Sequence, residues 1–471
     1  MRDGSYVFEV GRPYPQQSAV LARDYLDSAL RAEKGIRRYR RQTDEGLYWL
    51  HDDEDGQVEA PDVSFYHGVA GIAYFYLLLF RVTGDARFAA EARNGGNYAA
   101  AHWRDVLEAP QLWLTPEYRD LYRKGSYFGV SGVGTVLLDL YRQFADDRYL
   151  SAVKEIIDYY RDTARQGEAG IRWTNTGIAF DGGVILFLVD AYREVSFLWP
   201  EATEELLDLI RSASEEYLAR GHRTSEGGLL YHGFEGILDY DYPNFTYGAA
   251  GSGYVLTVLY ELFGDERYLQ GAKDCAAYLE SIAVPQRKGY LLRQRQGEGQ
   301  PTVLCLNVCN GPAGTARLFY RLAELTDDCH YREQITQLVD GLESQGAPDR
   351  QAVGLWNNAC LCCGHAGLLE FFIGLYLSDN DSRWHDLAER CARILLAWEE
   401  QDEDGASDWP GAWERIHPEH ISRGIGYFDG SAGIAASLLQ AYELASGDFT
   451  WNRLNDDPFP NAMRERHLGI G

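Results

Sequence analysis

The sequence predicts an all-α protein, an α/α toroid (barrel) of seven helical hairpins with outer and inner helix layers. Three observations predict it: a glycine motif repeated along the chain, an apolar helical run after each copy, and amphipathic stretches between copies. The motif is an aromatic or apolar residue and then Gly-x-x-Gly, at residues 66–71, 127–132, 246–251, 308–314, 362–367 and 428–433. A seventh, degenerate copy, Phe180-Asp181-Gly182-Gly183, keeps only the second glycine. One such motif is a weak signal. Seven at a period of about 50 to 70 residues, room for two helices and their connections, are a strong one.

Each element then has its reason. The runs after the motifs, such as 184–192, 315–325 and 368–377, are mostly apolar and read as buried inner helices. The stretches 21–40, 149–165 and 202–219 carry apolar residues at helical spacing with charge between them, as an outer layer with one wet face requires. Short extended pieces at 46–49, 170–173, 228–231 and 289–292 precede several motifs and read as small strands or turns at one end of the ring. Glycine in the motif is expected to allow close backbone approach or positive φ. The expected organisation is a single domain: an N-terminal outer-helix segment, 1–45; the seven-repeat toroid, 46–445; and a C-terminal tail, 446–471.

Composition narrows the function. The 471 residues are 45% hydrophobic and 13% aromatic, enough for a large core. A formal net charge of −27 argues against nucleic acid, whose phosphates need a basic face. Residues 1–15 lack the pattern of a signal peptide, and apolar runs such as 74–80 fall short of the roughly 20 residues of a membrane span. A cytoplasmic protein is expected.

All eight cysteines follow residue 274, so they are no disulfide framework for the fold. Cys309, Cys362 and Cys363 stand just before the inner helices of two adjacent hairpins, at equivalent places in the repeat. Taken singly, each reads as a small buried hydrophobe. Taken together they read as a zinc site, because a toroid brings those places together and three thiolates leave one coordination position open. Helix N-termini also favour thiolates. Cys305 and Cys360 are the nearest substitutes, while Cys275, Cys329 and Cys391 read as packing residues.

These motifs resemble the LanC-like lanthionine synthetase cyclases over residues 46–442. The stretch Val308-Cys309-Asn310-Gly311-Pro312-Ala313-Gly314 is similar to the family's Trp-Cys-x-Gly-x-x-Gly zinc motif. Leu361-Cys362-Cys363-Gly364-His365-Ala366-Gly367 is similar to its Leu-Cys-His-Gly-x-x-Gly motif, in the variant with cysteine for histidine. The resemblance implies a Zn2+ cofactor on three cysteines. It further implies addition of a peptide cysteine thiolate to dehydroalanine or dehydrobutyrine, giving a thioether ring. The implied partners are a dehydrated precursor peptide or a small thiol such as glutathione, and a separate dehydratase, since no phosphate-binding motif occurs here. The family's catalytic histidine of the fourth repeat is Tyr247 in this chain, which takes the place of the proton donor. Counting back from Gly183 puts Thr176 at the family's third-repeat aspartate, with Asp181 close by to take that role. His365, His232 and His67 are further candidates for proton transfer. Two rival classes remain: a degenerate member that binds zinc and peptide without catalysis, and a metal-free α/α-toroid glycosidase working through paired carboxylates.

Overall fold

A computed structural model describes residues 6–50, 61–108, 116–196 and 198–463. Residues 1–5 and 464–471, the outermost parts of the two predicted end segments, lie outside the described residues. Fifteen helices run through the described residues: α1 (Ala22–Ile36), α2 (Val69–Thr83), α3 (Ala86–His102), α4 (Pro116–Tyr122), α5 (Val130–Phe144), α6 (Asp147–Thr163), α7 (Asp181–Val195) and α8 (Pro200–Ala219). They continue as α9 (Ala249–Phe263), α10 (Glu266–Ser281), α11 (Pro312–Thr326), α12 (Cys329–Ser344), α13 (His365–Asp379), α14 (Ser382–Trp398) and α15 (Ser431–Ser446).

The fold is the predicted α/α toroid. Inner helices α2, α5, α7, α9, α11, α13 and α15 each pack on the next, and α15 returns to α2. Every residue of α2 from Val69 to Leu79 is buried, which explains its unbroken apolar sequence. The outer helices bury one stripe only; in α6 it is Tyr149, Leu150, Ala152, Val153, Ile156, Ile157 and Tyr160. The seventh hairpin joins the two ends of the helical chain, because α1 packs as the outer partner of α15.

Local chemistry makes the turns. Between inner and outer helices stands a left-handed residue and then an aspartate cap: Gly84 and Asp85, Ala145 and Asp146, Gly264 and Asp265, Asp327 and Asp328, Asn380 and Asp381. Each aspartate accepts the amide two residues on, satisfying an orphan donor of the outer helix. The extended pieces are strands, each the second arm of a small antiparallel ribbon: Gly46–Trp49, Ile171–Arg172, Leu229–Leu230 and Tyr290–Leu291.

The motif glycines serve close approach and not positive φ, which corrects half of the expectation. Gly248 and Gly430, for example, have φ of −123° and −139°. A Cβ on Gly248 would stand 1.7 Å from the Tyr242 carbonyl oxygen, and one on Gly433 would stand 1.6 Å from that of Tyr427. Any side chain there would push the motif loop off its helix.

Beneath the motif loops the ring is filled by the segment after α15. Tyr74 donates to the Asn452 carbonyl at 3.2 Å, Tyr254 to that of Asn455 at 2.9 Å, and Tyr127 to the Asp456 carboxylate at 2.7 Å. Arg317 pairs with Asp456 at 3.1 Å, and Phe459 packs on Tyr320 with ring centres 4.8 Å apart. No described helix is long and apolar enough to cross a membrane.

Candidate metal centre

The motif loops are tied into a belt by main-chain hydrogen bonds. Thr246 donates to the Cys309 carbonyl at 3.1 Å, Cys309 to that of Cys362 at 3.4 Å, Cys362 to Phe428 at 3.0 Å, Phe428 to Tyr66 at 3.0 Å and Tyr66 to Tyr127 at 2.9 Å. All six stand five residues before the second glycine of their repeat. Ala179 of the degenerate repeat joins by donating to Thr246 at 3.0 Å. Repeat position therefore translates into place around the mouth. The next residue of each copy forms a second tier: His67, Phe128, Ala179, Tyr247, Asn310, Cys363 and Asp429.

Cys309 and Cys362 come from the first tier and Cys363 from the second, and their sulfurs all lie within 4.8 Å of one another. The Cys309–Cys363 separation is 3.6 Å and the Cys362–Cys363 separation 3.3 Å. Tetrahedral zinc with bonds of about 2.3 Å puts its sulfurs roughly 3.8 Å apart, so the donor set fits that ion. Among themselves the sulfurs favour one thiolate. Hydrogen bonding from Cys309 and Cys363 pulls the Cys362 thiol well down, while the same bonds and burial push the other two well up. Three thiolates side by side require a cation.

Neither substitute belongs to the group of three, although Cys360 touches it. Cys360 is buried and accepts the Cys363 amide at 3.4 Å. Burial pushes the Cys305 thiol up to about 12. Cys275 and Cys391 are packed as expected, whereas Cys329, first residue of α12, is exposed.

Cys309 Sγ donates to Asn307 Oδ1 and accepts from Asn310 Nδ2, each at 3.5 Å, and two further polar groups stand to either side of the trio. On the fourth-repeat side, Tyr247 accepts a hydrogen bond from Tyr122 of α4 at 3.0 Å and packs with its ring tilted against Phe234 and Tyr242. Burial pushes its phenol well above the usual 10. The amide of the preceding residue, Thr246, donates to the Cys309 carbonyl at 3.1 Å, which places Tyr247 beside the centre. On the other side, His67 Nδ1 stands 2.6 Å from Asp429 Oδ2. Burial opposes the charged ring, but the Asp429 carboxylate overrides this and raises the imidazole above its usual 6.5.

The remaining candidates are held elsewhere. Asp181 is the first residue of α7, and its buried carboxylate takes the amides of Trp173 and Thr174 at 3.1 and 2.7 Å and the Thr174 hydroxyl at 2.8 Å. Those donors use it to fix the strand-to-helix turn, so it is not turned to the sulfurs. Thr176, also buried, lies in the same turn. His365 is fully buried, bonded to the Pro348 carbonyl at 2.9 Å and set edge-on to Tyr14, and burial lowers it to about 4. His232 pairs with Asp241 at 2.6 Å and packs on His222. Sequence reasoning missed the partner of His67. The available signal was that His67 and Asp429 hold the same place in the first and last repeats, which a closed ring makes neighbours. Nothing in the sequence points to Tyr122.

The family described as "Lanthionine synthetase C-like protein" matches residues 59–451. Among solved structures, the chain resembles nisin cyclase with a TM-score of 0.57 at 12% identity, covering 94% of this chain and 96% of that one. A cellobiose 2-epimerase from Bacillus thermoamylovorans gives a TM-score of 0.42 at 12% identity, over 68% of this chain and 87% of the other. A family 76 glycoside hydrolase from a bovine Bacteroides thetaiotaomicron strain gives 0.45 at 12% identity, over 90% and 78%. No curated protein matches. With the match spanning all seven motifs and both cysteine loops, the chain belongs to the lanthionine synthetase C-like family.

Proposed function

We propose that the protein is a zinc-dependent lanthionine cyclase, which adds cysteine thiols of a dehydrated peptide to dehydroalanine or dehydrobutyrine. The observation that carries this is the cluster of Cys309, Cys362 and Cys363 sulfurs at the mouth of the ring. These three would hold the ion. When bound, zinc would supply a position at which a peptide thiol ionises far below its free pKa of about 8.5.

The chain's own residues serve the rest of the addition. A carbon–sulfur bond forms at the β-carbon, the π pair moves toward the carbonyl, and negative charge develops on its oxygen. Tyr247 suits that oxygen as a hydrogen-bond donor. Its oxygen already accepts from Tyr122, which leaves its own hydrogen to offer, and its raised pKa means it donates a bond without giving up the proton. The aromatic walls around Tyr247, Phe234 and Phe180 among them, keep water from that side.

Metal analysis of the purified full chain and a free-thiol count with a dehydrated peptide test the reading. One zinc per chain, lost in Cys309→Ser, and disappearance of thiols are expected. A chain that holds no metal and takes up none on titration sinks the proposal. Bound zinc with an unchanged thiol count would make the protein a peptide binder.

A further inference from the structure

We propose that His417, Glu419 and His420 form a second divalent-metal site, separate from the cysteine centre, which takes zinc on two imidazoles and one carboxylate. The three stand on the loop 413–420, between the short paired strands Gly411–Ala412 and Ile421–Ser422. One ligand atom from each lies within 4.8 Å of the other two. Such a site binds its ion whether or not the protein is a cyclase.

Three observations carry it. First, the local sequence builds the chelate. His417-Pro418-Glu419-His420 is a tight turn closed by the His420 amide on the His417 carbonyl at 3.0 Å, with proline in the second place, where its fixed φ suits a turn. The first and last side chains of the turn come side by side, and their imidazoles stack with centres 4.8 Å apart and planes 12° apart. Second, the body of the protein holds the turn. Asn357, only 1% exposed, donates its side-chain amide to the Pro418 carbonyl at 3.2 Å and to that of Tyr6 at 2.6 Å. A turn already fixed loses little freedom on taking an ion. Third, the spacing differs from that of other histidine–carboxylate pairs. His102, His232 and His330 touch their carboxylates at 2.6 to 3.1 Å, as direct hydrogen bonds. His417 Nδ1 and His420 Nε2 each stand 3.8 Å from the same oxygen, Glu419 Oε1. That is too far for a hydrogen bond, and close to the roughly 3.3 Å between donors that share a tetrahedral zinc at about 2.0 Å. Rotation of three exposed side chains closes the difference. Two imidazoles and a carboxylate suit zinc but hold it less tightly than three thiolates, and water completes the shell. The net charge of −27 concentrates cations at the surface.

The test uses the tag-free full chain, stripped with a chelator and then titrated with zinc chloride against a metal-indicator dye. Two classes of ion are expected, a tight one on the cysteines and a weaker one on the turn. In His417→Ala/His420→Ala the weaker class is expected to vanish while the tight class keeps its affinity. Glu419→Gln should weaken the second class more than about tenfold, because even a residue behind a metal ligand is worth that much. A wild-type chain with no second class overturns the proposal, as does a second class that the double variant retains. Cobalt(II) gives a reading that needs no variant. Its second equivalent should add visible bands without adding to the sulfur charge-transfer band, and growth of that band with the second equivalent overturns the proposal. If the tight class is missing and the weaker one behaves as stated, the cyclase reading falls and the turn site stands.

Discussion

The mouth of the toroid and the filled ring beneath it are made of the same seven inner helices, yet they use polar groups in opposite ways. At the mouth, three sulfurs crowd together, Tyr247 takes a hydrogen bond from Tyr122 and His67 pairs with Asp429. Below, the segment after α15 answers four polar side chains around it: Tyr74, Tyr254, Tyr127 and Arg317 all end on its carbonyls or on Asp456. Satisfied buried groups contribute rigidity, while crowded thiols and a histidine–carboxylate pair store reactivity. The difference teaches that stability and chemistry are separated along the ring axis, with Tyr127 touching both levels through Asp456 and Phe428.

That separation can be broken or sharpened by mutation. The largest effect is expected from Cys362→Ser, which should lower zinc affinity more than about 100-fold and abolish cyclisation; equilibrium dialysis and the thiol count measure both. Phe459→Ala should do the reverse. Loss of its packing on Tyr320 and Phe371 should cost about 3 kcal/mol in denaturant unfolding and leave the zinc content unchanged. A variant that lost zinc with it would join the two levels.

A smaller effect concerns Glu370 of α13, whose carboxyl burial raises from 4.5 to about 8 and whose Oε1 has no partner. The folded chain keeps a proton there that the unfolded chain gives up, so stability falls as pH rises from about 4.5 toward 8. Glu370→Gln removes that slope and should stabilise the protein at pH 8 by on the order of 2 kcal/mol, read from thermal unfolding across pH. The smallest is Tyr247→Phe, expected to slow cyclisation about tenfold with zinc and stability unchanged. An unaffected rate would leave Tyr247 a wall residue only.

Much of this was legible along the chain. Inner helices betrayed themselves by mostly apolar runs, and each of the four extended pieces opens on a glycine followed mostly by apolar and aromatic residues. The three sulfurs were legible because repeat position alone defines place around the mouth. For Asp181 and His365, sequence proximity to a motif says nothing of direction: one carboxylate takes the amides of the turn before its helix, and the other ring packs against Tyr14. The aspartate after each left-handed turn was a readable cap signal that the glycine repeats overshadowed.

By itself the sequence determined the period, the layers and the repeat positions of the three cysteines, because these can be read from each repeat in turn. Only the tertiary structure decided which ends meet. His67 and Asp429 touch across 362 residues, α1 completes the hairpin of α15, and Tyr122 reaches Tyr247 from a helix outside the repeat. A linear period carries no information about curvature. Ring closure, set by how seven inner helices pack around one axis, is what turns distant equivalents into neighbours.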